Sequence, residues 1–132
     1  MHKSIKNIID LYENVNQKIS DLNYNNYKPQ IIAVSKTFSK ENILPIIDHG
    51  HAHFGENKVQ EALTKWSDLK KDNPNIKLHM IGKLQSNKVK QAVSIFDYIH
   101  SVDSVKLANK ISSEQEKQGK NLKVFIQINI GD

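Results

Sequence analysis

The sequence contains no cysteine among its 132 residues. This absence excludes disulfide bonds, thiolate catalysis and metal sites built on cysteine. The sequence also lacks any apolar run near the roughly 18 residues that suggest a membrane-spanning helix. Its first residues lead into an amphipathic pattern rather than into the apolar core of a signal peptide. These absences predict a cytoplasmic protein with no membrane segment.

Glycine is scarce, with five residues in the whole chain, and none of them forms a phosphate-binding loop. Residues 36–39 read Lys-Thr-Phe-Ser and occupy the position after the first predicted strand. The dinucleotide-binding fingerprint and the P-loop are therefore both absent. The net charge of +5 is spread along the chain. This mild basic balance permits nucleic-acid binding without specifying it, and we expect no specific nucleic-acid partner.

Short apolar runs alternate with helical patterns along the chain. The patterns predict strands over about 30–35, 52–54, 76–81, 97–100 and 122–128, and helices over about 3–22, 40–49, 57–70, 86–93 and 104–119. Ser39 and Ser104 are expected to cap helices, and Gly50 and Gly119 to follow their ends. Helices between successive strands indicate a parallel sheet with right-handed crossovers. The length predicts a single α/β domain over residues 1–132, either an open doubly wound sheet or part of an eight-stranded barrel.

Lys36 follows the apolar run Ile31–Val34, which is typical of a strand buried on both faces. Its amine then emerges at the carboxyl end of the strand, where ligands bind in open α/β sheets and in barrels. Burial in a partly apolar pocket would lower the pKa of this lysine and make it a nucleophile toward an aldehyde. The alternative is a solvated lysine in a loop.

Other polar residues also fall at predicted strand ends, which converge on one mouth in a barrel. Asn57 is a candidate for contact with a cofactor, although asparagine is equally suited to capping the next helix. Glu56 is expected to pair with a neighbouring lysine. Ser35, His79 and Asn129 are weaker strand-end candidates.

Two further clusters are interpreted as structural. His49, His51 and His53 suggest a metal site at first sight, but no carboxylate falls at ligand spacing, and we expect no metal. The cluster of Lys83, Lys88 and Lys90 is assigned to a solvated helix face, with a phosphate or RNA contact as the alternative. Trp66 is assigned to the core.

Five segments resemble, in order and spacing, those of one known family. They are Ala-Val-Ser-Lys-Thr at 33–37, Phe-Gly-Glu-Asn at 54–57 with Val-Gln-Glu at 59–61, Ile-Gly at 81–82 with Leu-Gln-Ser-Asn-Lys at 84–88, Ile-His-Ser-Val-Asp at 99–103, and Gln-Ile-Asn-Ile-Gly-Asp at 127–132. On these motifs, which cover nearly the whole chain from residue 30, the sequence resembles the pyridoxal phosphate homeostasis protein family.

The resemblance implies a barrel like the N-terminal domain of alanine racemase, here an N-terminal helix plus about five parallel strands of a (β/α)8 barrel. It implies pyridoxal 5′-phosphate (PLP) held as an aldimine on Lys36, with Asn57 by the cofactor. The implied role is PLP homeostasis without turnover, with PLP and PLP-dependent apoenzymes as partners. Two alternatives stay open: a fragment of a PLP-dependent racemase or decarboxylase, and a degraded gene product that binds no PLP.

Length is the main departure from the family. Its chains continue for about three more βα units, which carry the segments that grip the phosphate of the cofactor. The resemblance therefore implies the N-terminal portion of a barrel, truncated in its C-terminal half. We expect open edges at the first and fifth strands, self-association through them, and weak or absent PLP binding by a monomer.

Overall fold

The structure, a computed structural model, describes residues 3–22 and 26–131. Its helices are α1 (Lys3–Leu22), α2 (Lys40–Asp48), α3 (Val59–Asp72), α4 (Val89–Ile95) and α5 (Val105–Gln118). Its strands are β1 (Ala33–Val34), β2 (His53–Glu56), β3 (Lys77–Met80), β4 (Tyr98–Val102) and β5 (Lys123–Ile126), and a 3₁₀ turn (Ser86–Lys88) precedes α4. None of these described helices combines the length and the apolar character that crossing a membrane requires.

The five strands form one parallel sheet in the order β1-β2-β3-β4-β5. A doubly wound sheet reverses its strand order at a switch point. A barrel instead adds each strand beside the previous one, as this sheet does. The structure confirms the predicted fold class: an α/β chain with an N-terminal helix and five parallel strands of a (β/α)8-type barrel.

The chain divides into two compact units. One unit comprises Met1–Ile31 and Phe38–His51, and it contains α1 and α2. Within it, the Tyr12 hydroxyl shares a hydrogen bond of 2.9 Å with His51 Nδ1. The other unit comprises Ile32–Thr37 and Ala52–Asp132, and it contains the sheet with α3, α4 and α5. The single domain expected over residues 1–132 stays a prediction.

The first strand is shorter and less buried than the sequence predicts. The apolar run Ile31–Val34 was expected to be buried on both faces, but β1 contains only Ala33 and Val34, and Val34 is 49% exposed. In the described sheet β1 pairs with β2 alone. An edge strand has protein on one side only, so the expectation of full burial was wrong.

The predicted helix caps differ in outcome. Ser104 caps α5 as expected, because its hydroxyl accepts a hydrogen bond of 3.1 Å from the Leu107 N–H. Gly119 follows α5 in the left-handed conformation. Ser39 precedes α2, but its hydroxyl caps no backbone N–H and instead accepts from the Asn42 amide at 3.3 Å. The predicted N-cap position of Ser39 is therefore confirmed, but its hydroxyl takes no part in the cap.

One face of the sheet packs against apolar helix residues. The Phe54 ring in β2 lies 4.9 Å from the Trp66 ring in α3, and both side chains are fully buried. The assignment of Trp66 to the core is confirmed. Other fully or nearly fully buried side chains are Leu78, Met80, Val93, Phe96 and Ile99.

A buried carboxylate joins the end of β1 to β2 and α3. The Glu56 side chain is fully buried, and its Oε1 accepts hydrogen bonds of 2.8 Å from Ser35 Oγ, Lys65 Nζ and Trp66 Nε1. Lys65 itself is only 7% exposed. A buried charge is tolerated when it is paired and hydrogen-bonded. The prediction that Glu56 pairs with a lysine is confirmed, and the partner is Lys65.

Three histidines form a row across the other face of the sheet, since side chains alternate between faces along each strand. His53 Nδ1 lies 2.9 Å from His79 Nε2, and His79 Nδ1 lies 2.8 Å from His100 Nε2. The Tyr98 ring stacks on His79 at 4.2 Å, and the Phe125 ring stacks on His100 at 4.6 Å. We call His53, His79 and His100 the histidine row; it spans β2, β3 and β4.

Burial keeps the centre of the histidine row uncharged. Desolvation lowers the pKa of His79 to about 4, helped by the neighbouring His100 and His53 and opposed by the Asp97 carboxylate. Desolvation also lowers the pKa of His100. At neutral pH, His79 is therefore a neutral imidazole.

The Glu56–Lys65 pair makes a prediction about stability. Lys65→Met is expected to lower the free energy of unfolding by about 3–5 kcal/mol, because it leaves the Glu56 charge buried without its cation. Lys71→Met is the matched control: Lys71 is 79% exposed and lies 3.9 Å from Asp68, so we expect a loss below about 0.5 kcal/mol. Urea denaturation measures both variants, and equal losses would contradict a role for the buried pair.

The histidine row predicts a pH dependence of stability. Unfolded His79, with its ordinary pKa of 6.5, takes up a proton that the folded state resists until about pH 4. The free energy of unfolding should therefore decrease as the pH falls through this range, by up to about 3 kcal/mol from this residue. Denaturation of His79→Phe across the range should show a shallower decrease than the unchanged chain. An equally steep decrease in His79→Phe would refute the assignment.

Candidate functional site

The carboxyl ends of β1 and β2 lie side by side. Their register pairs Val34 with Gly55, and the Ser35 N–H donates to the Gly55 carbonyl at 3.0 Å. Lys36 follows β1 by two residues, and Asn57 directly follows β2. The two residues predicted to bind a cofactor thus follow neighbouring strands, and their contact with a cofactor stays a prediction.

Two side chains of α3 hold the backbone on either side of Lys36. Lys65 Nζ donates to the Ser35 carbonyl at 2.7 Å, and the Thr37 N–H donates to Glu61 Oε1 at 2.6 Å. Thr37 has a φ of 66°, a left-handed conformation that is unusual for a β-branched residue. We call Glu61 and Lys65 the α3 clamp. It stabilises a turn that places Lys36 at the end of β1.

The acidic member of the α3 clamp is charged at neutral pH. The hydrogen bond from the Thr37 N–H holds the pKa of the Glu61 carboxyl below its usual value. Desolvation raises this pKa, but its effect is smaller. Lys65, whose Nζ lies 3.2 Å from Glu61 Oε1, and Lys58 lower this pKa further. A charged carboxylate accepts a stronger hydrogen bond than a neutral group, so it suits a strained turn.

The Lys36 side chain is exposed. This differs from the partly apolar pocket that the sequence suggests, because Lys36 follows the edge strand of the described sheet. Within residues 3–22 and 26–131, its amine takes part in no hydrogen bond or ion pair. The amine is therefore accessible to an electrophile from solution.

A close backbone contact fixes Asn57. A Cβ atom on Gly82 would lie 2.5 Å from the Asn57 carbonyl oxygen and 2.9 Å from its Cα, so only glycine allows this approach. The Ser101 hydroxyl in β4 donates to the Gly82 carbonyl at 2.7 Å. These contacts join the residues that follow β2 and β3 to β4 and fix the main chain at Asn57.

The other strand-end candidates do not join this cluster directly. His79 lies within β3, in the histidine row, and the Ser35 hydroxyl is bound to Glu56. The Asn129 side chain is exposed and accepts a hydrogen bond from the Gly131 N–H at 3.3 Å. Asp132 lies outside the described residues. No group of three potential metal ligands occurs in the described part of the chain.

Sequence analysis overlooked both residues of the α3 clamp. One signal was available: Lys65 lies on the apolar stripe of α3 between Ala62 and Trp66, where a charge requires a buried partner. Glu61 and Lys65 also have the i, i+4 spacing of a helical ion pair. The contacts of Lys65 with Ser35 and of Glu61 with Thr37 depend on where α3 lies relative to β1. The sequence near these residues does not indicate them.

Comparison with known proteins agrees with the fold described above and with the family that the sequence resembles. The family model described as alanine racemase, N-terminal domain, matches residues 9–132. The pyridoxal phosphate homeostasis protein of Pasteurella multocida (strain Pm70) is 33% identical over 127 residues, which are 96% of this chain and 54% of that protein. The protein of that name from Bos taurus is 41% identical over 108 residues, or 77% and 40%. The chain spans about half the length of the curated relatives it matches.

A solved structure agrees with the sequence matches. PipY of Synechococcus elongatus PCC7942, determined with PLP bound, has a TM-score of 0.75 and 38% identity, covering 89% of this chain and 55% of PipY. The resemblance to pyridoxal phosphate homeostasis proteins is thereby confirmed. The chain belongs to the family of the alanine racemase N-terminal domain.

Proposed function

We propose that this chain binds PLP covalently through Lys36, with Asn57 beside the cofactor, and that it acts in cofactor homeostasis without turnover. The observation that carries the proposal is the α3 clamp. Two charged side chains hold the backbone around one lysine, whose own amine is not engaged by the described residues. PipY, with PLP bound, and the homeostasis proteins support the choice of ligand.

The chemistry needs little from the surrounding residues. When bound, PLP supplies an aldehyde and a phosphate. The Lys36 amine attacks the aldehyde carbon, a C=N bond replaces C=O, and one water molecule leaves. The Asn57 side chain offers both a hydrogen-bond donor and an acceptor next to this position. Because the Lys36 side chain is exposed, little protein would enclose the ligand, and we propose weak affinity.

The arrangement around β1 and β2 favours holding a cofactor over turning over a substrate. Turnover requires a positioned acid or base within hydrogen-bond reach of the reacting atoms. The Ser35 hydroxyl is bound to Glu56, and the Glu56 carboxylate is buried among three donors. His79 has both ring nitrogens in hydrogen bonds within the histidine row. A racemase assay with added PLP tests this point, and measurable turnover would favour the enzyme alternative.

The proposed partners follow from this role. PLP-dependent apoenzymes are the proposed recipients of the cofactor, and the cytoplasm is the proposed location. Self-association through the edges of the sheet is also proposed. Its support is that β5 is exposed along its whole length, with Phe125 52% and Ile126 76% exposed.

Covalent binding through Lys36 is tested by trapping. Borohydride reduction of the chain at saturating PLP should add one pyridoxyl phosphate group, which peptide mapping should locate on Lys36. Lys36→Ala and Lys36→Arg should both lose the adduct, the second because it keeps the charge without the nucleophilic amine. Lys40→Ala is the control and should keep it. An adduct that persists in Lys36→Arg, or maps to several lysines, would refute the proposal.

The α3 clamp makes a separate prediction. Glu61→Ala should lower trapping at sub-saturating PLP roughly five- to tenfold, because the turn loses a hydrogen bond worth about 1–1.5 kcal/mol. Glu61→Gln retains an acceptor and should recover much of the loss. Amide hydrogen exchange at Thr37 should accelerate in Glu61→Ala and less in Glu61→Gln. Unchanged exchange and trapping in Glu61→Ala would show that the clamp does not hold Lys36.

A further inference from the structure

A pocket of about 350 Å³ lies between the start of α3 and the loop that joins β3 to α4. Three lysines line it: Lys58, Lys83 and Lys88. Met80 and Val59 also border it, but they are only 1% and 5% exposed. We call it the lysine pocket. The sequence predicts a solvated helix face for Lys83 and Lys88, whereas both line this concave site.

The lysine pocket carries positive charge without a counter-charge in its walls. Its lining residues include no aspartate or glutamate. In the described part of the chain, the ion pairs join other cations to carboxylates and use none of these three lysines. Like charges gathered around one concave site produce a local positive potential, which attracts an anion of matching size.

The rest of the lining indicates which kind of anion fits. The amides of Asn57, Gln60 and Gln85 offer neutral donors that can hydrogen-bond phosphate oxygens. The methylene stems of the three lysines offer apolar surface to an organic group. The volume falls within the roughly 300–1,000 Å³ range of small-molecule sites. The lining contains no aromatic ring on which a nucleobase would stack, which disfavours single-stranded nucleic acid.

We infer that the lysine pocket binds a small organic phosphate, with lysine ammonium groups and amides at the phosphate and the lysine stems beside the organic group. This site goes beyond the proposed function: it shares Asn57 with the proposed cofactor contacts, but Lys36 is not among its lining residues. A molecule bound here needs no aldehyde and forms no covalent bond. Binding in the pocket and covalent trapping on Lys36 are therefore measured separately.

Phenyl phosphate is a suitable probe because it joins a phosphate to an apolar ring. Titration of the full ¹⁵N-labelled chain should shift the amide signals of Val59, Gln60, Gln85 and Lys88 saturably. K83Q/K88Q should weaken binding at least fivefold. The matched control K106Q/K117Q removes two exposed charges from α5 and should leave the affinity within twofold. Lys83→Gln alone, at an exposed position, should weaken binding without any effect on folding.

Four outcomes would overturn the inference: no saturable shift with phenyl phosphate, equal weakening in both double variants, shifts confined to residues outside the pocket, or inorganic phosphate binding as tightly as phenyl phosphate. The third would identify a different site, and the fourth would remove the role of the apolar lining. Lys36→Ala should bind phenyl phosphate normally, and K83Q/K88Q should still trap PLP on Lys36. These two results separate failure of this inference from failure of the proposed function.

Discussion

The Glu56 carboxylate is the interaction on which the described sheet and its candidate site both depend. It is fully buried, and it accepts hydrogen bonds from Ser35, Lys65 and Trp66, which come from the end of β1 and from α3. Lys65 then uses the same ammonium group to bind the Ser35 carbonyl. One charge pair therefore orients α3 on the sheet and fixes the residue before Lys36. A substitution of Lys65 would therefore change both the stability of the fold and the position of Lys36.

Much of this architecture follows from sequence alone. The alternation of apolar runs and helical stripes predicts all five strands and five helices, because periodicity depends on which residues face a core. Parallel pairing follows because crossovers of this length contain helices, whereas the sequential strand order is seen only in the structure. Ser104 and Gly119 define the ends of α5 by local chemistry that needs no partner outside the helix. Lys36 and Asn57 both follow neighbouring strands of one parallel sheet, as the sequence predicts.

The remaining features depend on contacts between distant residues. Lys65 lies at a helix position that the periodicity predicts to be apolar, yet it carries a charge. Its burial is possible because its ammonium group pairs with Glu56 in β2. The exposure of Val34 depends on β1 having a single neighbouring strand in the described sheet, which its own apolar run does not reveal. The left-handed Thr37 reflects the Glu61 acceptor 24 residues away. Each case is a tertiary interaction that overrides a local preference.

The hydrogen bonds of the histidine row couple the tautomers of its three residues. A neutral imidazole donates through one nitrogen and accepts through the other, and both nitrogens of His79 are engaged. If His79 donates toward His53, it must accept from His100, and the reverse holds for its other tautomer. The row thus has a polarity, with two opposite arrangements of the same protons. A tautomer change at His100, beneath Phe125 of β5, would reverse the donor at His53 in β2 without any movement of the backbone.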